Sequence, residues 1–183
     1  MLSNTNNSYG WLSILLHWLS ALAVIGLFAV GLWMVDLDYY NQWYQTAPHW
    51  HKSVGLCLAA ITLIRLGWNL FQTKPAPLGK GFEIVIARIA HWVLYVLLFC
   101  IFVSGYLIST ADGRGIQVFN WFTVPSFGEL FAHQEDFAGR IHEWLAFGLI
   151  GLASIHALAA LKHHFLYKNK GLRRMLSPLK EEN

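Results

Sequence analysis

The chain has 183 residues, of which 56% are hydrophobic and only 13% charged, against about a quarter charged in an ordinary soluble domain. A net charge of +3, nine Trp and seven Tyr complete a composition that argues against a soluble domain and fits interfacial aromatic belts. Two cysteines, Cys57 and Cys100, both in apolar runs, point to buried thiols rather than a disulfide framework, and the absence of any C-x-x-C-H excludes covalent c-type haem attachment.

Four apolar segments follow, each near the roughly 20 residues a helix needs to cross the hydrocarbon core. The first covers about 11–33; no Lys or Arg precedes it and it is longer than a signal-peptide core, so no cleaved signal is expected. A loop from Asp36 to Pro48 leads to the second, about 50–70, interrupted in its interior by Arg65. The stretch TKPAPLGKG, Thr73 to Gly81, precedes the third, about 86–108. Ser109 to Gly139 carries the turn signal DGRG and the aromatic FNWFTVPSFGELF, expected to lie along the membrane surface. The fourth segment covers about 140–163. The fold expected is all-α, a single domain over 1–183 forming an integral membrane four-helix bundle.

Basic residues orient the spans. Arg65, Lys74, Lys80, Arg88, Lys162, Lys168, Lys170, Arg173, Arg174 and Lys180 lie on the side of the second loop and the C-terminus. Only Lys52, Arg114 and Arg140 lie on the other. By the positive-inside rule both termini are cytoplasmic.

Ionisable side chains inside a membrane are costly and mark function by default. With 1.5 Å of rise per residue, His17 and His156 lie roughly 7 Å to the cytoplasmic side of their helix centres, and His51 and His142 roughly 13 Å to the outer side. Fourteen residues separate His142 from His156, so both project from nearly one helix face, about 21 Å apart. The same gap runs from His51 to Arg65 and from His91 to Gly105. One helix thus offers an imidazole to each of two levels. Haem iron with axial histidines is the leading ligand, since helical bundles build cofactor sites from facing helices. Zinc or copper fits less well, because no Cys or carboxylate matches in depth and spacing. Interhelical hydrogen bonding would explain any one histidine, but hardly four paired by level.

His91, roughly 9 Å to the inner side, competes with His17 at the inner level. His17 is preferred, because His91 can instead bond a propionate or a quinone. His49 is about 200° round the helix from His51, and His51 has small Gly55 one turn on, which leaves room for a flat macrocycle. His133 falls in the outer loop, and His163 and His164 read as interfacial anchors. Arg65 needs an anionic partner, which a haem propionate would supply.

The segments LLHWL around His17, HKSVGL around His51, IRLGW with Arg65, ARIAHWVLY around His91, IHEWLA around His142 and SIHALAALKHHF from His156 together resemble the bacterial cytochrome b561 family of dihaem membrane proteins. The resemblance covers nearly the whole chain. It implies two non-covalent b haems, the outer on His51 and His142 and the inner on His17 and His156, in the bacterial inner membrane. The same helix arrangement occurs in cytochrome b subunits of hydrogenases and formate dehydrogenases.

Three functions compete. In the first, as the resemblance implies for some members, superoxide delivers electrons at the outer face and ubiquinone collects them. Lys52 and Arg140, beside His51 and His142, are candidates for docking the anion, and pairing with propionates or lipid phosphates is the alternative role. In the second, the chain links a periplasmic redox partner to the quinone pool as a subunit of a hydrogenase- or formate dehydrogenase-like complex. The third is a haem-free scaffold, which would be colourless. Partners beyond these are membrane lipid; none is expected to be nucleic acid.

Overall fold

A computed structural model describes residues 1–178; Lys180, counted above among the cytoplasmic cations, lies outside them. Four long helices dominate: α1 Trp11–Met34, α2 Thr46–Phe71, α3 Gly81–Thr110 and α4 Gln134–Phe165. All four are long and apolar enough to cross a membrane. Only 6–17% of the residues in each apolar window are buried, so the greasy side chains face outward. Leu22, Leu63, Val96 and Leu158 are more than half exposed, whereas Ser13, Ser20, Ser53, Thr62, Ser104 and Thr110 are buried. That inversion is what lipid selects, with small and polar residues between helices and apolar bulk outside. Both cysteines are free thiols, Cys57 half-buried and Cys100 exposed rather than buried as expected.

The helices run past the expected spans at most ends, for local reasons. Pro48 reads as loop in sequence, but a fixed φ suits a first helical turn, and α2 begins at Thr46. Glu83 accepts the Lys80 N–H at 3.2 Å and so caps α3 five residues before the expected start. Glu135 and Asp136 favour the positive end of α4, where Gln134 is buried with its amide donating to the Leu107 carbonyl at 2.8 Å. The amino end of α1 is satisfied by the chain's own beginning. Trp11 and Leu12 donate to the Met1 and Leu2 carbonyls at 3.1 and 3.4 Å. The Leu2 carbonyl lies so close to Gly10 that no β-carbon fits there.

The loop after α3 departs from expectation. The DGRG turn is present, but it leads into a hairpin, β1 Ile116–Val118 antiparallel to β2 Phe122–Val124. Phe119 and Asn120 turn it with φ of 46° and 62°. The Phe119 N–H donates to Ser53 Oγ at 3.0 Å, which fastens the turn to α2. A last short helix, α5 Gly171–Arg174, has no counterpart in the sequence reading.

The chain divides into two compact units. The first holds Met1–Ala21, Ile61–Leu94 and the described chain from Gly151 onward; the second holds Leu22–Ala60 and Tyr95–Ile150. His17, Arg65, His91 and His156 all fall in the first, and His51 and His142 in the second.

Candidate metal centres

In the second unit, α2 presents His51 and α4 presents His142, with ring centroids 6.3 Å apart and planes at 67°. A metal–imidazole bond of about 2 Å, with the ring radius added at each end, would put two imidazoles facing each other across one metal atom roughly 6 Å apart. The pair is therefore spaced for one metal atom between them. His142 Nδ1 lies 3.1 Å from the Ile101 carbonyl oxygen and 3.0 Å from Ser104 Oγ. A carbonyl only accepts, so Nδ1 carries the proton, and Ser104, whose hydroxyl goes to that same carbonyl at 3.0 Å, accepts as well. The lone pair of the neutral ring is then on Nε2, free for a metal. His51 Nδ1 is buried without a hydrogen-bond partner among the described residues, so no group of the described chain fixes this ring's tautomer.

The other two helices contribute space. A β-carbon on Gly31 of α1 would stand 3.4 Å from His51 Cε1, and one on Gly105 of α3 would stand 3.2 Å from His142 Cε1. Each imidazole thus packs against bare backbone. Gly105 is legible as the residue 14 beyond His91. Gly31 is 14 beyond His17, the same spacing.

The first unit holds three imidazoles and a guanidinium. Arg65 Nη2 donates to His17 Nδ1 at 2.9 Å. His91 and His156 meet edge to face with centroids 5.1 Å apart, and His17 and Trp18 at 5.4 Å. His17, His91, His156 and Arg65 all interact electrostatically. The sequence-predicted residues are thus brought together, but the ring set against His156 is that of His91. At 5.1 Å that is a direct ring contact, shorter than a metal-bridged pair.

Among the described residues no group of three or more His, Cys, Asp or Glu side chains could hold a metal ion. A closed tetrahedral zinc site needs such a group, whereas two imidazoles suit an iron whose other ligands arrive with it in a porphyrin. The geometry fits haem.

Lys52 and Arg140 occupy different surroundings. Lys52 interacts electrostatically with Asp112, which pairs with Arg114 at 2.5 Å. Arg114 also gives its Nε–H to Asp112 at 2.7 Å, and this pairing holds the Asp112 carboxyl below its ordinary range. Arg140 lines a cavity of about 370 Å³ with Phe131, His133, Asp136 and Phe137. It is two residues from His142 and hence about 200° round the helix. His163 packs on Tyr167 and His164 on Phe165.

Residues 8–178 match the family described as prokaryotic cytochrome b561. The chain is 48% identical over 176 residues to cytochrome b561 homolog 2 of Escherichia coli K12, covering 95% of this chain and 94% of that one. It is 27% identical over 184 residues to "Probable superoxide oxidase CybB" of Yersinia pestis, covering 93% and 97%. Cytochrome b561 homolog 1 of E. coli K12 is 24% identical over 173 residues, covering 93% and 97%. The chain belongs to the prokaryotic cytochrome b561 family. It is a multi-pass bacterial inner-membrane protein, a b-type cytochrome that transfers electrons.

Proposed function

We propose that this member of the prokaryotic cytochrome b561 family is a dihaem superoxide:ubiquinone oxidoreductase, holding one haem b on His51 and His142 and a second on His17 and His156. The observation that carries the reading is the His51–His142 pair, with its 6.3 Å spacing, its glycine clearance and an Nε2 freed by the Ile101 carbonyl. When bound, haem b supplies one-electron redox chemistry at each site.

At the second site His156 is common to both available pairings. We favour His17 as its partner, because His91 already touches His156 at a spacing that leaves no room for a metal atom. Ligation through His17 Nε2 moves that ring's proton to Nδ1, so Arg65 gives up its bond to Nδ1 and turns to a carboxylate. His91 flanks the site as a hydrogen-bonding group.

Two superoxide anions lose one electron each to give dioxygen, and one ubiquinone gains those two electrons and two protons to give ubiquinol. The substrate is a small anion, so nearby positive charge raises its encounter rate. Lys52 directly follows His51, and the positive-inside count puts both on the outer side, with the termini cytoplasmic. The Yersinia pestis relative, named a probable superoxide oxidase, supports this donor. The test is quinone reduction by the purified protein under a superoxide generator. The expected result is quinol formed far faster than with haem-depleted protein, and with little hydrogen peroxide. Haems that reduce with dithionite yet ignore superoxide would overturn the reading.

That second outcome favours an electron-transfer subunit with a redox partner. The feature that supports it is the fastened hairpin, where Trp121 is 76% exposed and Phe127 beyond it 78%.

A further inference from the structure

Two helices offer the same local pattern to the two rings of the His51–His142 pair, with one difference. Each carries a glycine 14 residues beyond a histidine, Gly31 on α1 and Gly105 on α3. Each glycine receives a ring from another helix. A β-carbon at Gly31 would lie 3.4 Å from Cε1 and 3.9 Å from Nδ1 of His51. At Gly105 the corresponding distances to His142 are 3.2 and 3.5 Å. Both rings therefore turn the Nδ1–Cε1 edge towards the backbone of a neighbouring helix.

The residue before the glycine is where the two helices part. On α3 it is Ser104, whose Oγ lies 3.0 Å from His142 Nδ1, and the Ile101 carbonyl one turn back lies at 3.1 Å. On α1 it is Val30, with Leu27 in the place of Ile101. A valine side chain offers no acceptor, and His51 Nδ1 is buried with no hydrogen-bond partner among the described residues. The difference bears on ligand strength. Donation from Nδ1–H fixes the orientation of a ligating ring and raises the basicity of its other nitrogen. When its bond to a metal breaks, the His142 ring stays pinned where it was and rebinds. His51 has no such bond to give up, and its ring is free to turn about its side-chain torsions.

We infer that His142 is the fixed axial ligand and His51 the exchangeable one, so that a small uncharged diatomic ligand of the carbon monoxide class takes the place of His51. This rests on the haem reading of the pair and deepens it. The exchange is a ligand substitution without change of oxidation state. The bond from the His51 nitrogen breaks, the bond from the incoming atom forms, and the released imidazole stays neutral. Leu27, Val30 and Gly31 are apolar, so α1 favours an uncharged ligand over an anion at this position. Carbon monoxide is small enough to enter the space that one turned ring leaves.

The test uses whole, haem-loaded protein reduced with dithionite and titrated with carbon monoxide, after haem content has been counted. Circular dichroism checks that each variant folds. In wild type, carbon monoxide should shift the absorbance of one haem. Val30→Ser gives α1 the residue that α3 has, and should lower the affinity for carbon monoxide about tenfold. His51→Ala should keep that haem with a high-spin spectrum and bind carbon monoxide more tightly than wild type, there being no ring to displace. His142→Ala should lose it. Wild-type protein indifferent to carbon monoxide, or an affinity unchanged in Val30→Ser, would overturn the inference. So would equal loss of haem from the two histidine variants, or retention in His142→Ala alone. A carbon monoxide shift that survives intact in His142→Ala would place the exchangeable position at the other haem, and would overturn it too. A haem content that neither histidine substitution changes would instead sink the assignment of haem to this pair.

Discussion

His142 Nδ1 stands 3.1 Å from the backbone carbonyl of Ile101, and that contact decides which nitrogen of the ring can meet a metal. Because the acceptor is main chain, no side-chain substitution at position 101 removes it. Ser104 is the replaceable part, the second acceptor at 3.0 Å. Partners of this kind are worth about 10–100-fold in metal affinity. With the carbonyl still in place, Ser104→Ala should weaken one haem about tenfold, whereas His142→Ala should abolish it and spare the other. Titrating haem into depleted protein measures both. Equal affinity in Ser104→Ala and wild type would leave the carbonyl as the whole of the orienting contact.

Gly31 and Gly105 face the rings of the same pair, and a methyl group at either meets Cε1 at 3.4 or 3.2 Å. Gly105→Ala is the tighter fit and should disturb haem retention more than Gly31→Ala. Gly26, with nothing within 4 Å, is the control. In a helix interior Ala is favoured over Gly by about 1 kcal/mol, so Gly26→Ala should fold at least as well as wild type. Haem occupancy and a broadened or shifted Soret band report the outcome. Full occupancy in both Gly31→Ala and Gly105→Ala would show that the rings have room to move.

What could be read from the sequence alone follows from which signals are local. Apolar runs fix four helices, and the 14-residue gap puts His142 and His156 on one face without any knowledge of neighbours. The helix ends are less legible, since Pro48, Glu83 and Glu135 look like loop residues and act as first-turn residues. The hairpin is not legible at all: its strands are three residues long, and its turn uses Phe119 and Asn120 where a glycine would have announced it. The choice between His17 and His91 beside His156 depends on rotation of whole helices, which spacing along one helix does not encode. Nor does spacing disclose that Arg174 reaches the Ala76 carbonyl between α2 and α3.

The turn at Phe119 is held from outside. Its φ of 46° is unfavourable for a bulky residue, and its N–H is satisfied by Ser53, which is fully buried and also donates to the His49 carbonyl at 2.8 Å. Ser53→Ala strands that N–H, a loss of about 1–3 kcal/mol if it remains buried. The cheaper response is for the turn to relax, parting Phe119 from the Trp50 ring that it meets at 5.2 Å. Protease cleavage between 111 and 130 should accelerate in Ser53→Ala, with the helices intact by circular dichroism. Unchanged cleavage would mean that the strands alone hold the turn.

Tyr9 supplies a pH dependence with a definite sign. Its folded pKa lies above the ordinary value of 10.0, chiefly through burial. Burial of the neutral phenol therefore favours the folded protein fully below about pH 10, and that contribution is lost as pH rises through the folded value. Subtracting the alkaline absorbance titration of Tyr9→Phe from that of wild type isolates one phenol. It should ionise above pH 10, and the wild-type protein should lose stability over the same interval. A difference titration centred below pH 10 would place Tyr9 in water.

Lys52 and Arg140 look equivalent in sequence, each one or two residues from a candidate ligand, but their surroundings predict unequal roles. Arg140 is about 200° round α4 from His142 and lines a cavity with Asp136, whereas Lys52 shares a charged patch with Arg114 and Asp112 beside His51. Steering by such patches is worth about 10–10³ in encounter rate and falls with salt. Lys52→Glu should slow superoxide-driven quinone reduction about tenfold at low salt, and Arg140→Glu much less. Asp112→Asn removes the negative member of the patch and releases Arg114, so it should raise the rate above wild type. All three differences should shrink as ionic strength rises, because none of these residues touches the reacting atoms. A salt-independent loss in Lys52→Glu would place that residue in contact with substrate or haem instead, and a larger loss in Arg140→Glu would move the entry point to the α4 cavity.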